Sequence, residues 1–357
     1  MNISILVTGG GAPGIAGTIY ALRNNPDNRL FNIVTTDIKD HCVGKYMADA
    51  FYLLPPPESP DYIKVLKEIV AKEQISVILP QTTREIEFYS KNKNLLTELD
   101  INVIVSEYSG IQRANDKYLI IKACENVGIP YPEYFLIKSI DGLKNAINKL
   151  GYPKKKVVVK PRFSNGLRGV RVLTEEGLSF YNYINEKPGG LNIDLDNFLN
   201  IFSNVLPSEF PELLVTEYMP GEEYSIDMFR NKNGTVVIPR LRRNIRSGIS
   251  FDTEVDLSKS ELVTYSKLLA EHLDLKFCFG FQFKFDENGI PKILESNPRV
   301  QGTMVASLFA GFNMIYYSVK EVLGEEVPLE NVRLTDKSEF KRYWGGVGML
   351  GDKHFLI

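Results

Sequence analysis

Four short apolar runs, Ile3–Thr8, Phe31–Thr36, Val77–Pro80 and Val103–Ser106, alternate with helical patterns at Ile15–Asn24, Tyr62–Lys72 and Glu85–Asn94. Short apolar strands separated by amphipathic helices are the signature of βαβ units, so the first hundred or so residues are expected to form a parallel α/β sheet. Pro55-Pro56-Pro57 breaks the chain before the middle helix.

The pattern then changes. A helix is expected over Asp116–Asn126, stopped at Gly128-Ile129-Pro130. Strand signals follow at Tyr134–Ile137, Val157–Lys160 and Val170–Leu173, with a helix at Asp141–Leu150. Lys187–Pro211 has no period and reads as an insertion or mobile loop. From Leu213 the chain is strand-rich, with two hairpins separated by a helix over Lys259–Leu273.

A chain of 357 residues exceeds one ordinary core, which suggests two or three domains. A hydrophobic share of 44% with 24% charged residues is that of a soluble globular protein. The net charge of −2 offers no footprint for nucleic acid, and Lys154-Lys155-Lys156 reads as a solvated loop. Cys42, Cys124 and Cys278 are odd in number and widely spaced, and His41, His272 and His354 are isolated, so neither a disulfide framework nor a zinc site is expected. No signal peptide or membrane-length apolar run is seen, which makes a cytoplasmic protein with reduced thiols the expectation.

The strongest local signal lies in Phe281–Asn297. Asn288-Gly289 between two alternating runs predicts a two-residue type I′ hairpin, with Glu287 facing Ile290 and Gln282 opposite Glu295. Alternation then places Gln282, Glu295 and Asn297 on one face, and Phe281, Phe283, Phe285 and Leu294 on the other. One carboxylate and two amide oxygens on rigid strands suit Mg2+, which takes few protein ligands and completes its shell with phosphate and water. A polar outer face of a half-exposed hairpin is the alternative. Arg299 just beyond favours the metal reading, because a cation there suits a transferring phosphoryl group.

A second hairpin is signalled by Asn233-Gly234, and the same arithmetic pairs Asp227 with Arg240 and Ser225 with Arg242. Glu223, Ser225, Asp227, Arg240, Arg242 and Arg246 then share a face, with Arg243 on the other. These arginines suit either a bidentate grip on a carboxylate or phosphate or a ladder of cross-strand ion pairs. Before them, Leu213–Gly221 is an apolar strand ending in a Pro-Gly turn, whose backbone suits an adenine ring. Lys160 closes the apolar strand Val157–Lys160, and Ser164-Asn165-Gly166-Leu167-Arg168-Gly169 is a small-residue loop able to fold its N–H groups over a polyphosphate. Lys117 begins a helix and is placed to reach the same cleft.

In this order, Lys117, Lys160 with its loop, Glu217, Glu223, Gln282 and then Glu295-x-Asn297-x-Arg299 resemble the ATP-grasp superfamily, most closely the group around the carbamoyl phosphate synthetase large chain. The resemblance covers nearly the whole chain, and Glu295-Ser296-Asn297-Pro298-Arg299 is its most specific piece. It implies a pre-ATP-grasp α/β domain over residues 1–112, a lid subdomain over 113–212 and a C-terminal catalytic α+β subdomain with an antiparallel sheet over 213–357. It also implies that Lys117 and Lys160 hold the ATP phosphates under a lid loop containing Ser164, Gly166, Arg168 and Gly169. Glu217, Tyr218 and Met219 would line the adenine pocket, and Glu223 would take the ribose. Gln282, Glu295 and Asn297 would hold Mg2+ (or Mn2+), and Arg299 would stabilise the γ-phosphoryl group. Arg242, Arg246 and Gly11 would contribute to the substrate site, Arg246 by contacting an acyl phosphate. Gln282 stands where many relatives carry a carboxylate.

The implied activity is an ATP-dependent ligase: a carboxylate is phosphorylated to an acyl phosphate and joined to an amine, with release of ADP and phosphate. The partners are then a small-molecule acid and amine, with no nucleic acid or membrane and a homodimer as an option. The alternative within the family is one synthetase half acting on bicarbonate or carbamate. Two readings lie outside it. Thr8–Gly14 with Asp37 and Tyr118-x-x-x-Lys122 invites an NAD-dependent dehydrogenase or epimerase, although Gly11, Gly14 and Gly17 are out of phase with GxGxxG. A nucleotide-binding protein without turnover is the other.

Overall fold

The β/α alternation at the start of the chain does form a parallel sheet. The computed structural model describes residues 3–164, 166–176, 184, 190–350 and 353–356. Its first sheet contains β1 (Ile3–Thr8), β2 (Phe31–Asp37), β3 (Ala50–Leu53), β4 (Ile75–Leu79) and β5 (Asn102–Val103), in the order β3-β2-β1-β4-β5. All four pairings are parallel. β3 escapes a reading by period because it is a short edge strand with no buried residue.

Two compact units account for the chain. One comprises Met1–Asn115, Tyr224–Gln282 and Ser296–Ile357; the other comprises Asp116–Glu223 and Phe283–Glu295. In the first unit, adjacent residues of β1 serve two cores, because successive strand side chains point to opposite faces. Ile5 and Val7 pack with Ile19, Leu22, Phe229, Met304 and Ile315. Leu6 packs with Val34, Tyr62, Leu66 and Ile78.

A six-stranded sheet has the order β15-β14-β11-β12-β13-β16. Its strands are β11 (Glu223–Asn231), β12 (Gly234–Arg246), β13 (Ile249–Val255), β14 (Phe277–Phe285), β15 (Pro291–Asn297) and β16 (Glu339–Lys341). The remaining strands comprise β6 (Tyr134–Ile137), β7 (Val157–Pro161), β8 (Arg171–Leu173), β9 (Asn192–Ile193) and β10 (Leu213–Glu217), which form a sheet in the second unit ordered β6-β10-β7-β8-β9. A two-stranded hairpin pairs Val347–Leu350 with Lys353–Leu356.

Two turns differ from expectation. At β11–β12 the loop is Lys232-Asn233, because Asn231 Oδ1 accepts from the Asn233 and Gly234 N–H groups at 2.9 and 3.1 Å and Asn231 pairs with Gly234. Ser225 therefore faces Arg240 and Asp227 faces Ile238, a shift of two residues that keeps every side chain on its expected face. At β14–β15 the turn is not the expected two-residue one. Asp286 N–H donates to the Ile290 carbonyl at 3.0 Å across a three-residue loop, with Gly289 at φ +73°. The Asp286 carboxylate fixes this turn by accepting from the Asn288 and Ile290 N–H groups, both at 2.9 Å. The turn pairing moves by one residue, so the arithmetic that set Gln282 opposite Glu295 does not hold, and Ile293 rather than Leu294 is buried.

A third hairpin, β12–β13, turns at Ser247-Gly248 with φ of +48° and +78°. The Ser-Gly dipeptide is its only sequence signal. Lys187–Pro211 is more ordered than expected, although residues 187–189 lie outside the described residues. β9 pairs parallel to β8, and a helix Leu195–Asn200 begins at Asp194, whose side chain accepts from Asn197 N–H. Phe198 anchors this segment through ring contacts with Phe202, which in turn meets Phe210.

Candidate active site

In the second unit, Asp116 sets the start of the helix Lys117–Val127 by accepting from the Tyr118 and Leu119 N–H groups. Arg162 clamps the same carboxylate at 2.6–2.9 Å and reaches Glu212 at 2.7 Å. This fixes Lys117 at the first helical position, where its ammonium donates to the Ser164 carbonyl and to Ser164 Oγ at 3.1 Å. Lys160, at the end of β7, donates to the Leu294 carbonyl at 3.3 Å. Both lysines are 7% exposed, and neither has an ion pair with a described residue.

Burial pushes the Lys160 pKa down to about 8; the charge of Lys117 lowers it further, and Glu295 opposes the shift. Lys117 is also lowered by burial, with Glu295 and Asp116 opposing. The second unit thus brings Lys117, Lys160, Ser164 and Glu295 together. The loop from Ser164 continues through Gly166 and Arg168 to Gly169; Asn165 lies outside the described residues. Gly169 sits at φ +75°, and a Cβ there would lie 2.6 Å from Pro161 Cγ, so only glycine closes this loop.

At the end of β10, the Glu217 side chain accepts from Glu133 N–H at 2.8 Å and from Lys292 at 2.6 Å. Its own N–H donates to the Glu133 carbonyl, so Glu217 ties its strand to the segment at Glu133 through both side chain and backbone. Tyr218 lies between the ammonium groups of Lys156 and Lys284, each 5.7 Å from its ring, and Met219 is buried. Gly221 and Glu222 strap the segment to Phe285 by two backbone hydrogen bonds of 2.9 Å. Glu223 is half-buried.

In the first unit, the arginine face divides by role. Arg240 is 0% exposed and grips Asp227, also 0% exposed, at 2.6 and 2.7 Å. It also donates to Thr253 and Thr303 hydroxyls, which realises the ion-pair alternative at this position. Arg242 donates to Gln282 Oε1 at 2.9 Å, Ser250 Oγ at 2.7 Å and the Gly248 carbonyl at 2.6 Å. Arg246 is exposed, bonds Asn244 Oδ1 at 3.1 Å and lies 4.9 Å from the Phe251 ring. Arg243 takes the other face and pairs with Glu254.

Arg299 donates to Asn297 Oδ1 at 3.2 Å and to the Val300 carbonyl at 2.8 Å. The loop that follows is held by Gln301, whose Nε2 reaches the Ile226 carbonyl at 3.1 Å by crossing over Gly280. A Cβ on Gly280 would lie 1.4 Å from that nitrogen. Gly11 N–H donates to Asp37 Oδ2 at 2.7 Å. This occupies the carboxylate that the dinucleotide reading assigns to ribose. Lys122, in the second unit, pairs with Glu125 at 2.6 Å, and its ammonium lies 5.8 Å from the centre of the Tyr118 ring.

Two residues near these positions carried no sequence signal. Arg162 orients Lys117 from 46 residues beyond Asp116. Arg342 donates to the carbonyls of Pro13 at 3.0 Å and Gly302. Among the described residues, no group of three or more His, Cys, Asp or Glu side chains is placed to hold a metal, and no helix is long and apolar enough to cross a membrane.

A parallel α/β sheet, an antiparallel sheet carrying Gln282 and Asn297 and a lysine-bearing five-stranded sheet make up an ATP-grasp fold with a preceding α/β domain. Residues 5–104 match the family of PylC-like N-terminal domains, and residues 209–341 match the family described as ATP-grasp in the biosynthetic pathway with Ter operon. The C-terminal part of the chain is thus similar to ATP-grasp proteins, and its first hundred residues to the PylC-like N-terminal domain.

The carbamoyl phosphate synthase large chain of Clostridium acetobutylicum is 22% identical over 277 residues, covering 74% of this chain and 24% of the relative. That of Vibrio cholerae serotype O1 is 25% identical over 300 residues, covering 78% and 25%. The chain thus spans about a quarter of the length of these relatives. N5-carboxyaminoimidazole synthetase from Staphylococcus aureus, solved with ADP, superposes with a TM-score of 0.68 at 18% identity, covering 92% of this chain and 79% of that one. The biotin carboxylase domain dimer of the Hydrogenobacter thermophilus 2-oxoglutarate carboxylase, solved with MgADP, ADP and bicarbonate, gives 0.69 at 16% identity, covering 94% and 73%.

Proposed function

We propose that this chain is an ATP-dependent ligase that activates a carboxylate as its acyl phosphate and joins it to an amine. The observation that carries this reading is the Lys117–Lys160 pair: two buried ammonium groups without an ion pair among the described residues. Such a pair is costly in an empty protein and favourable beside a polyanion. The donors fit a nucleotide polyphosphate, and the oxygens of Gln282, Glu295 and Asn297 suit a hard divalent cation, Mg2+ or Mn2+.

Bound Mg-ATP would supply the phosphoryl group. Lys117 and Lys160 would hold its phosphates, and Ser164, Gly166, Arg168 and Gly169 would cover them. Tyr218 and Met219, with the backbone of Glu217, would border the adenine, and Glu223 would take the ribose. Gln282 is steadied by Arg242, and Asn297 by Arg299. Arg299 would neutralise charge on the transferring group, Arg246 would meet the acyl phosphate, and Gly11 would border the substrate. Positioning and charge neutralisation are all that such chemistry asks of the protein. The division at residues 1–112, 113–212 and 213–357 goes with this reading, as does a homodimer, since the Hydrogenobacter thermophilus relative is a dimer.

Bicarbonate as the acid is the second reading, favoured by the carbamoyl phosphate synthase relatives and by the bicarbonate in one structural neighbour. Release of ADP, screened over acids including bicarbonate crossed with amines, tests both. Turnover that needs an acid and an amine is expected, and Glu295→Ala and Lys160→Ala should abolish it with the fold retained. Wild-type rates in either variant would overturn the assignment.

A further inference from the structure

Most cations on the arginine-bearing face of the six-stranded sheet have partners suited to them. Arg240 has Asp227, and Arg242 has Gln282, Ser250 and Gly248. Arg342 is different. Its N–H pairs with the Phe251 carbonyl at 2.7 Å, which places its side chain on the same face as Phe251. Its guanidinium is half-buried and lies 5.9 Å from the Phe340 ring; among the described residues it donates only to the carbonyls of Pro13 and Gly302, and its buried Nε has no partner. No described carboxylate forms an ion pair with it. Burial, then the charge of Arg240, hold its pKa below the usual arginine range.

Its surroundings are also informative. Pro13 belongs to the loop that leaves β1, beside Gly11. That loop lies at the carboxyl end of a parallel strand between β2 and β4, where the strand order reverses and where open α/β sheets take ligands. Gly302 follows Arg299 by three residues. Arg246 is the second guanidinium here without a carboxylate, and it lies over Phe251.

We propose that Arg342 binds a second anionic group on the acid substrate, so that this enzyme takes an acid carrying two negative charges. The proposal rests on the ligase reading. One carboxylate would go to the phosphoryl-transfer side at Arg246, and the other anion to the guanidinium of Arg342. An arginine fork suits such a group, and the two carbonyls that Arg342 meets satisfy its donors without balancing its charge.

The only tryptophan of the chain, Trp344, is two residues away, and its ring is 5.0 Å from that of Phe251. Its fluorescence therefore reports this site in the intact chain. Acetate, bicarbonate, succinate and citrate would be titrated at constant ionic strength, with Mg-ADP present. Saturable changes are expected with succinate or citrate and at least tenfold weaker responses with acetate and bicarbonate. Arg342→Met should weaken the dianion response at least tenfold. Arg342→Gln, which retains donors for the two carbonyls without the charge, should do the same and separates charge from folding.

A wild-type protein with no saturable response to either polycarboxylate, equal responses to acetate and succinate, or an unaltered response in Arg342→Gln would each overturn the proposal. Stabilisation by Mg-ATP, measured on the same wild-type sample, reports the ligase reading separately. Its absence with an intact dianion response would sink the ligase and leave an anion site.

Discussion

Arg240 and Lys160 are both buried cations on strands, and their surroundings are opposite. Arg240 has a carboxylate gripped through two nitrogens and two hydroxyls beyond it, all supplied by strands and a loop of one unit. Lys160 has one backbone carbonyl at 3.3 Å and a second buried lysine that repels it, and the nearby Glu295 offsets the burial only in part. Burying a charge is tolerable where the fold supplies its counter-charge. Where the fold withholds it, the charge is kept for something that arrives later. Within one protein, the paired cation holds the sheet together, and the lysine pair is the ligand site of the proposed ligase.

The comparison can be broken first at Arg240. Arg240→Met strands Asp227 in a dry core, and Asp227→Asn strands the guanidinium, so each should destabilise the fold by about 3–5 kcal/mol. Urea unfolding with an unchanged slope would measure it. A loss below about 1 kcal/mol would mean that the buried pair is not structural.

The pH dependence of stability sharpens the other side. Lys160 has a pKa of about 8 in the folded chain against 10.5 for the ordinary side chain. Between these values the unfolded chain holds a proton that the folded chain has released, so stability rises with pH across this window. The cost of burying the charge is fully present below pH 8 and is relieved toward pH 10.5. The gain attributable to Lys160 is about 3 kcal/mol, measured as the difference between wild type and Lys160→Met across that window. Identical pH profiles would remove the claim that Lys160 is an uncompensated cation. Gly280→Ala should cost about 1–3 kcal/mol, as an overpacked core does, by displacing Gln301 from the Ile226 carbonyl. Thermal melting with no shift would show that this loop re-forms freely.

Much of the fold was legible because period and capping are local. β1 and β6 have their expected ends, and Asp116 caps the helix that begins with Lys117. Turn geometry was less legible. Asn-Gly pairs mark both hairpins, but side-chain oxygens of Asn231 and Asp286 select which residues occupy the loops. A two-residue shift left the face of Asp227 and Arg240 intact, so their contact survives a wrong register. The segment after Gly190 hid its order because its anchors, Phe198, Phe202 and Phe210, follow no strand period. Arg342 had no legible signal, since its partners are carbonyls 329 and 40 residues away.

The most direct measurement is the stabilisation of Lys160→Met by Mg-ATP at neutral pH, compared with wild type. The unbalanced lysine pair predicts a variant at least as stable as wild type without nucleotide, and one that loses the nucleotide-induced rise in melting temperature. A variant destabilised as severely as Arg240→Met, yet still fully stabilised by Mg-ATP, would show that Lys160 supports the fold and that the phosphates bind elsewhere.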